Sequence, residues 1–347
     1  MYNLLDMKVS EVGEFGLIDI LARMVEEAGI KGFDRHTGQG LLLGIGDDTS
    51  AWAAETGVQL ATTDTLVQGV HFIPDVTSWQ ELGWKALAVN LSDIAAMGGE
   101  PWYALITLGL PSDTEVENIK ELYRGMLEIA RQYGVVIAGG DIVGSPVFFI
   151  TLALIGGAQK GLDYPSNMLR RSAAMRGDLV AVTGYLGAAA GGLKMLQQGI
   201  TFDLETTAYL KEAHLRPKPR IEAGKALLKA GISAAMDISD GLLADLSKLC
   251  QASAVAACIQ ADQVPVHPLL KAGFGEESLT LALSGGEDYE LLFTGTEEVV
   301  ERARGLIQEP VAVIGKIVEG KAGQVSVIDR SRKLIQPSKG GWDHFVA

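Results

Sequence analysis

The sequence predicts a protein of two domains in which strands and helices alternate, so its class is mixed α/β or α+β. The first observation is length, because 347 residues suggest two domains at roughly 150 residues per domain, with one large domain as the alternative. The second is composition, because 48% hydrophobic and 21% charged residues exclude a disordered chain. The third is patterning, in which short apolar runs bounded by turn residues alternate with segments of helical periodicity. Periodicity alone does not choose between the two classes.

Turn residues and apolar runs predict the elements of the first half. In chain order we expect strands at 41–46 and 58–63, helices at 79–97 and 112–134, and strands at 135–138 and 147–155. The first helix carries one apolar stripe and ends at Gly98-Gly99. The second is expected to begin at Ser112, with Glu115 completing a capping box, and to end at Gly134.

A polar, irregular stretch at 159–177 predicts a linker. We therefore expect a boundary near residue 160, with an N-terminal domain of 1–160 and a C-terminal domain of 161–347. In the second domain we expect strands at 179–183, 234–238, 289–294 and 311–317, and helices at 187–197, 220–230, 242–253 and 297–307.

The charge balance restricts the class of partner. The chain has 29 Lys and Arg against 43 Asp and Glu, and this net charge of −14 disfavours sequence-independent binding to nucleic acid or to anionic membranes. The first 21 residues lack the pattern of a signal peptide, and the most apolar stretch, 146–158, is shorter than the ~18 residues of a membrane span. Cys250 and Cys258 form neither a disulfide framework nor a zinc cluster. We expect a cytoplasmic protein.

Aspartates stand at the ends of several apolar runs and on one helix. They are Asp47, Asp48, Asp64, Asp141, Asp237 and Asp240, with Asp93 on the apolar stripe of the helix at 79–97. Each alone is often a helix cap or an Asx turn. Asp93 is harder to explain in that way, because a carboxylate on a buried face is costly unless it is paired or bound to a metal.

If the strands are neighbours, their ends would gather these carboxylates in one crevice. Grouped carboxylates favour a hard divalent cation, and Mg²⁺ fits best because phosphates can complete its coordination shell. Bound Mg²⁺ would allow this acidic chain to accept an anionic nucleotide. The hydroxyls of Thr62, Thr63 and Ser239, the amides of Gly139-Gly140 and the guanidinium of Arg171 could then contact phosphate. The glycine-rich motifs of P-loop and dinucleotide-binding proteins are absent from the sequence.

Nine segments carry a resemblance to a known family. They are Gly-Glu-Phe at 13–15, Gly-Ile-Gly-Asp-Asp at 44–48, the runs at 62–72 and 85–98, Gly-Gly-Asp at 139–141, Arg-Pro-Lys-Pro-Arg at 216–220, Asp-Ile-Ser-Asp-Gly-Leu at 237–242, Ser-Gly-Gly-Glu-Asp-Tyr-Glu-Leu at 284–291 and Gly-Trp-Asp-His-Phe at 341–345. In this order, and over nearly the whole chain, they resemble the thiamine-monophosphate kinases. That family belongs to the ATP-binding superfamily that includes aminoimidazole ribonucleotide synthetase.

The resemblance implies an activity and an architecture. The activity is direct in-line transfer of the γ-phosphoryl group of ATP to thiamine monophosphate, giving thiamine diphosphate with the help of several Mg²⁺ ions. The architecture is an α+β fold of two mixed α/β domains in a homodimer. The N-terminal domain would bind ATP and Mg²⁺ and contribute strands to a β-barrel at the dimer interface, and the C-terminal domain would complete the active site.

The resemblance also implies residue roles by position. Mg²⁺ would be held by Asp48, Thr62, Thr63, Asp64, Asp93, Asp141, Asp237 and Asp240. Of these, Asp64, Asp93 and Asp240 are the candidate catalytic residues. ATP would be contacted by Tyr123, Gly140, Asp141, Arg171 and Ser239. Thiamine monophosphate would be contacted by His71, Glu287 and Trp342.

Several alternatives stay open. His71 could be a structural histidine, Glu287 part of a turn, and Trp342 an anchor for the chain end. The arginine segment departs from the family pattern, so either Arg170 or Arg171 could contact ATP. The chain could also be another enzyme of the superfamily with a different small acceptor, or a sensor that binds Mg-nucleotide without turnover.

Overall fold

The structure is a computed structural model that describes residues 8–29, 41–43, 51–52, 58–158, 166 and 168–335. The chain divides into two compact units, Met1–Leu91 with Glu100–Gly157 and Ser92–Gly99 with Ala158–Ala347. The boundary expected near residue 160 assigns 92–99 to the first domain, whereas this segment belongs to the second unit. Asp93 therefore belongs with the second half of the chain.

The first unit is built on a four-stranded sheet. Its elements, with α2 continuing into the second unit, are α1 (Val9–Glu27), β1 (Leu41–Leu43), β2 (Ala51–Trp52), β3 (Gln59–Val67), α2 (Trp79–Ala96), β4 (Glu100–Leu110), α3 (Val116–Tyr133), β5 (Val136–Gly144) and β6 (Phe149–Gly157). The sheet has the order β3-β6-β4-β5, in which only β4 and β5 are parallel, and β1 and β2 form a separate antiparallel pair.

Strand register separates the sheet into a buried face and an open face. One row across the four strands is Asp64, Leu152, Ile106 and Gly140, and the next row is Thr65, Thr151, Thr107 and Asp141. Because neighbouring residues of a strand point to opposite faces, these two rows lie on opposite sides of the sheet. Leu152 and Ile106 are buried, whereas Thr65 and Asp141 are exposed. The sheet thus has one packed side and one side that no described residue covers fully.

The start of α3 corrects one sequence prediction. The residue before the helix is Glu115, so the capping box expected from Ser112 to Glu115 does not form. Instead, the carbonyls of Ser112 and Thr114 accept bonds from Ser10 and Val9 at the start of α1. The expected stop at Gly134 is confirmed, because this residue closes α3 in the left-handed conformation.

The second unit is built on a seven-stranded sheet. Its elements are β7 (Leu179–Thr183), α4 (Ala188–Gln198), α5 (Leu204–Leu215), α6 (Ile221–Ala230), β8 (Ala234–Asp237), α7 (Leu242–Ala252), β9 (Ala256–Gln260), α8 (Pro268–Phe274), α9 (Glu277–Ser284), β10 (Leu291–Gly295), α10 (Glu297–Arg304), β11 (Val311–Val318), β12 (Val325–Ile328) and β13 (Leu334–Ile335). The strand order is β13-β12-β9-β11-β7-β10-β8, with β12 and β9 as the one parallel pair. The mixed α/β class is confirmed.

The core of the second unit packs against both β8 and α7. β8 is buried along its whole length and stands at the edge of the sheet. Leu242, Leu246 and Leu249 of α7 are fully buried in the same apolar cluster as Met236. The loop between β8 and α7 is therefore held between two packed elements. Among the helices of the described residues, none is both long and apolar enough to cross a membrane.

Candidate active site

The end of β8 and the loop that follows it carry three of the predicted site residues. Asp237 ends the strand, and Ser239 and Asp240 precede α7. The backbone N–H groups of Ser239, Asp240 and Gly241 donate to one oxygen of Asp245, at 3.0, 2.9 and 3.1 Å. The loop is thus fixed through its backbone.

Asp237 is a buried carboxylate beside another acid. It is 2% exposed, and the hydroxyl of Ser92 donates to its Oδ2 at 2.8 Å. Burial raises the pKa of Asp237, the neighbouring charge of Asp93 raises it further, and Arg171 opposes the shift. The second unit therefore brings Asp93 and Arg171 within electrostatic range of Asp237.

A second segment, residues 286–290, is bonded directly to this loop. The N–H of Glu287 donates to the carbonyl of Ser239 at 2.7 Å, and the N–H of Tyr289 donates to the carbonyl of Ile238 at 2.9 Å. Gly286 allows this approach, because a Cβ there would lie 2.5 Å from the Ser239 carbonyl oxygen. Glu287 and Tyr289 have positive φ angles of 70° and 51°. Such strain in non-glycine residues persists only where the surroundings impose it, and it is common at functional sites.

Side chains from α5 and the loop after it support the same segment. Nδ1 of the buried His214 lies 3.1 Å from Oε2 of Glu287. Arg220 donates to both oxygens of Glu290, at 2.8 and 2.6 Å, and Thr183 donates to the same carboxylate at 2.6 Å. The sequence analysis assigned no role to His214 or Arg220. The sequence contained a signal for both residues, because they lie in or beside the Arg-Pro-Lys-Pro-Arg motif.

Asp288 caps the start of α4. Its carboxylate accepts from the N–H groups of Gly187 and Ala189, at 2.6 and 3.2 Å. Burial raises the pKa of Asp288 to about 7, with smaller contributions from Glu290 and Glu287, although both backbone bonds oppose the shift.

In the first unit, strand alternation separates three predicted Mg²⁺ ligands. Thr62 and Asp64 are half-buried on the same face of β3 as Leu60 and Leu66, whereas Thr63 is exposed on the other face. The side chains of all three therefore cannot bind one ion, because consecutive strand residues point in opposite directions. The assignment of Thr62, Thr63 and Asp64 to Mg²⁺ stays a prediction, with Thr63 on the opposite face of β3 from the other two.

Asp64 and Asp141 also lie differently from the prediction. β3 and β5 continue to Val67 and Gly144, so both aspartates lie inside strands instead of following them. They occupy the two edge strands and opposite faces of the sheet. The expected gathering of carboxylates at strand ends is therefore wrong for this pair.

Gly140 and His71 both have structural contacts. A Cβ at Gly140 would lie 1.8 Å from the carbonyl oxygen of Ile106, so the β4–β5 pairing itself requires glycine. Nδ1 of His71 accepts from the N–H of Val67 at 3.1 Å, which stabilises the turn after β3. This bond agrees with the structural alternative for His71.

The remaining predicted residues are placed as follows. Tyr123 is buried in α3, where burial raises its pKa, so it presents little surface to a nucleotide. Arg171 begins a short 3-10 helix and is exposed, and Nε of its neighbour Arg170 is buried with no hydrogen-bond partner. Asp48 and Trp342 lie outside the described residues.

The donor chemistry fits Mg²⁺, although the site is not preformed. Across the residues described, no three His, Cys, Asp or Glu side chains are grouped closely enough to hold a metal ion. Mg²⁺ needs only one or two carboxylates when phosphates and water supply its other ligands. The buried Asp237 beside Asp93 provides such oxygen donors.

Comparisons with known proteins agree along the whole chain. Residues 46–158 match the family described as AIR synthase related protein, N-terminal domain, and residues 176–328 match the corresponding C-terminal domain. The thiamine-monophosphate kinase of Bacillus subtilis (strain 168) is 36% identical over 313 residues, covering 87% of this chain and 93% of that protein.

Two solved structures extend the comparison to the fold. The crystal structure of thiamine-monophosphate kinase from Stenotrophomonas maltophilia K279a has a TM-score of 0.77 and 35% identity, covering 88% of this chain and 95% of that one. The structure described as AaThiL complexed with AMPPCP and TMP has a TM-score of 0.73 and 33% identity, covering 98% and 99% of the two chains. The likeness in sequence and fold spans both units, and the chain belongs to the thiamine-monophosphate kinase family.

Proposed function

We propose that this protein transfers the γ-phosphoryl group of ATP to thiamine monophosphate, giving thiamine diphosphate and ADP. The observation that carries the proposal is the set of three backbone bonds joining loop 237–241 to segment 286–290. These bonds set the nucleotide and metal candidates Ser239 and Asp240 beside the acceptor candidate Glu287. The family relative described with AMPPCP and TMP supports the same pair of substrates.

The acceptor needs no general base in this reaction. A phosphate monoester has a second pKa near 6, so at pH 7 it is already mostly a dianion and a competent nucleophile. The protein's task is to align two anions and to reduce their repulsion. Arg171 and the hydroxyl of Ser239 would contact ATP, with Gly140, Asp141 and Tyr123 as further candidates. Glu287, His71 and Trp342 would contact the acceptor.

Oxygen ligands in each unit would hold Mg²⁺. In the second unit these are Asp93, Asp237 and Asp240, and in the first they are Asp48, Thr62, Thr63, Asp64 and Asp141. Bound Mg²⁺ would neutralise charge on the phosphoryl group during transfer. Asp64, Asp93 and Asp240 are the residues on which we expect the rate to depend most. A cytoplasmic location, where ATP is plentiful and Cys250 and Cys258 remain reduced, is part of the proposal.

We further propose a homodimer that closes the open face of the first unit's sheet into a β-barrel. Leu105 and Ala153 are half-buried on that face, and Val143 is 39% exposed. Within the described sheet, β3 and β5 each have one unpaired edge. Open edges and partly apolar faces are usually covered in stable proteins, and a second copy would cover both.

A steady-state assay tests the function. The purified protein is incubated with ATP, Mg²⁺ and thiamine monophosphate, and products are separated by chromatography. We expect thiamine diphosphate and ADP in equal amounts, and no phosphorylated product when thiamine replaces the monophosphate. Phosphorylation of a different small acceptor would favour another activity of the superfamily. ATP binding without any turnover would favour a sensor.

A further inference from the structure

Asp245 accepts an unusual set of bonds for a residue in the first turn of a helix. It is fully buried in α7. Its Oδ2 accepts three consecutive backbone N–H groups, those of residues 239–241, at 2.9 to 3.1 Å. Its Oδ1 accepts from Nζ of Lys248 at 2.8 Å. Both oxygens therefore accept bonds from protein donors, and one of these donors, Lys248, carries a positive charge.

These bonds determine what the loop can offer to a ligand. Consecutive amides at a helix start ordinarily form a site for an anion such as phosphate. Here the Asp245 carboxylate is already that anion. The backbone of Ser239 is held from both sides, because its N–H donates to Asp245 and its carbonyl accepts from Glu287. None of these bonds uses the Ser239 hydroxyl. The Asp240 carboxylate accepts from Nζ of Lys248, so this lysine bridges Asp240 and Asp245 and orients the Asp240 side chain.

The negative charge of Asp245 is central to this arrangement. Hydrogen bonds to an ionised acceptor are roughly twice as strong as neutral ones. An asparagine would have one acceptor oxygen instead of two, and its NH₂ group would face either Lys248 or the loop amides. Asp245→Asn is nearly the same size and removes the charge, so it should loosen the loop without opening a cavity.

We propose that Asp245 is a positioning residue for phosphoryl transfer. It holds loop 239–241 so that the Asp240 carboxylate and the Ser239 hydroxyl face metal and nucleotide. It binds neither ligand itself, because the loop amides and Lys248 occupy its two oxygens. This inference rests on the proposed function for its biological meaning, but it can be tested by metal binding alone.

The test is a titration of the folded protein with Mn²⁺ alone, followed by electron paramagnetic resonance. Groups that orient metal ligands typically contribute 10- to 100-fold to metal affinity. We therefore expect Asp245→Asn to weaken Mn²⁺ binding by roughly 10-fold or more. The matched control is Asp178→Asn, which removes another buried carboxylate of the same unit, bonded to Met175 and Thr294 instead of the loop. The control should lower the melting temperature and leave Mn²⁺ affinity unchanged.

Equal Mn²⁺ affinities for wild type and Asp245→Asn would overturn the proposal. An equal loss of Mn²⁺ affinity in Asp245→Asn and Asp178→Asn would also overturn it, as would a wild type that binds no Mn²⁺. If Asp245→Asn does not fold, amide hydrogen exchange of the wild type decides. We expect slow exchange at residues 239–241, and rapid exchange at all three would overturn the proposal. A protein that shows this Mn²⁺ pattern without kinase activity would refute the proposed function and leave the role of Asp245 intact.

Discussion

Asp237 and Asp93 are neighbouring carboxylates in the second unit, and a cation would stabilise the pair. Asp237 is almost completely buried, and its bond from Ser92 supplies a neutral donor and no positive charge. Arg171 offsets the charge only in part, since burial and Asp93 still raise the pKa of Asp237. A carboxylate in this position is costly for folding unless a cation joins it. The cost is consistent with a residue retained for ligand binding.

The first prediction concerns Asp93 and Asp240. Replacing either with Asn keeps its size and removes one charge from the metal-binding set. We expect kcat to fall by orders of magnitude at saturating Mg²⁺, because alignment and charge neutralisation account for the catalysis. Asp262→Asn, which affects an ion pair with Arg330, is the control and should keep the wild-type rate. Near-normal rates in the folded Asp93 and Asp240 variants would remove these residues from the reaction.

The second prediction concerns the packing of Gly140 between β4 and β5. Gly140→Ala would force a methyl group against the Ile106 carbonyl in the adjacent strand, so we expect a lower melting temperature by several degrees. Gly144 lies on the same strand, and a Cβ there meets nothing within 4 Å. Gly144→Ala should therefore leave the melting temperature close to that of the wild type. Equal melting temperatures for the two variants, measured by calorimetry, would contradict the packing explanation.

Among the elements, the start of α4 depends on a residue far away in sequence. Its first residue follows Gly187, which has no side chain to cap the helix, and Asp288 accepts the free N–H groups instead. The same residue separates Glu287 from Tyr289, the two residues of segment 286–290 with positive φ. Asp288 therefore couples the helix start to the strained segment.

The third prediction is a pH dependence of stability. Asp288 has a pKa of about 7 in the folded protein and about 4 when unfolded, so the folded state retains its proton over a wider range. Its stabilising contribution is complete below about pH 4 and is lost as the pH rises toward about 7, by on the order of 2–4 kcal/mol. Asp288→Asn cannot titrate. Its unfolding free energy, from urea titrations at about pH 5 and about pH 7, should fall less than that of the wild type. Parallel changes in the two proteins would refute this.

Many elements can be predicted from the sequence because local signals are strong there. The strand 179–183 is confirmed with the same bounds, and α2 and α7 differ from the prediction by one residue at the end. β4 was missed, because its apolar run lacks clear alternation and begins beside Pro101. β9, β12 and β13 were also missed, because short strands depend mainly on their partners for stability.

The types of residue at the candidate site could be predicted from the sequence, but their positions in the fold could be predicted only in part. Loop 237–241 and Glu287 meet as expected from their motifs. Strand register, which is set by non-local pairing, decides that Thr63 and Thr62 face opposite ways and that Asp141 lies on an edge strand. The contact of His214 is with Glu287, a residue brought near by the fold, so the motif beside His214 did not by itself indicate its role. The partners of Asp245 lie only four to six residues before it, so its role was open to prediction from the local sequence and was missed.

For the whole molecule, the fourth prediction is the oligomeric state. We expect light scattering to give twice the 36.8 kDa mass of one chain. Ala153→Lys places a charge in the middle of the open face of the first unit's sheet and should shift the mass toward one chain. Leu334→Lys, at an exposed position of the second unit, is the control and should remain dimeric. A monomeric wild type, or an Ala153→Lys variant as dimeric as wild type, would contradict the proposed interface.

The central claim, direct transfer between two bound anions, is tested most directly by following labelled phosphorus. The protein is incubated with Mg²⁺, thiamine monophosphate and ATP labelled at its γ-phosphorus, and each product is isolated. We predict that the label appears in the terminal phosphate of thiamine diphosphate, with no labelled protein at any time. Label found only in free phosphate, or first on the protein and then on the product, would contradict direct transfer.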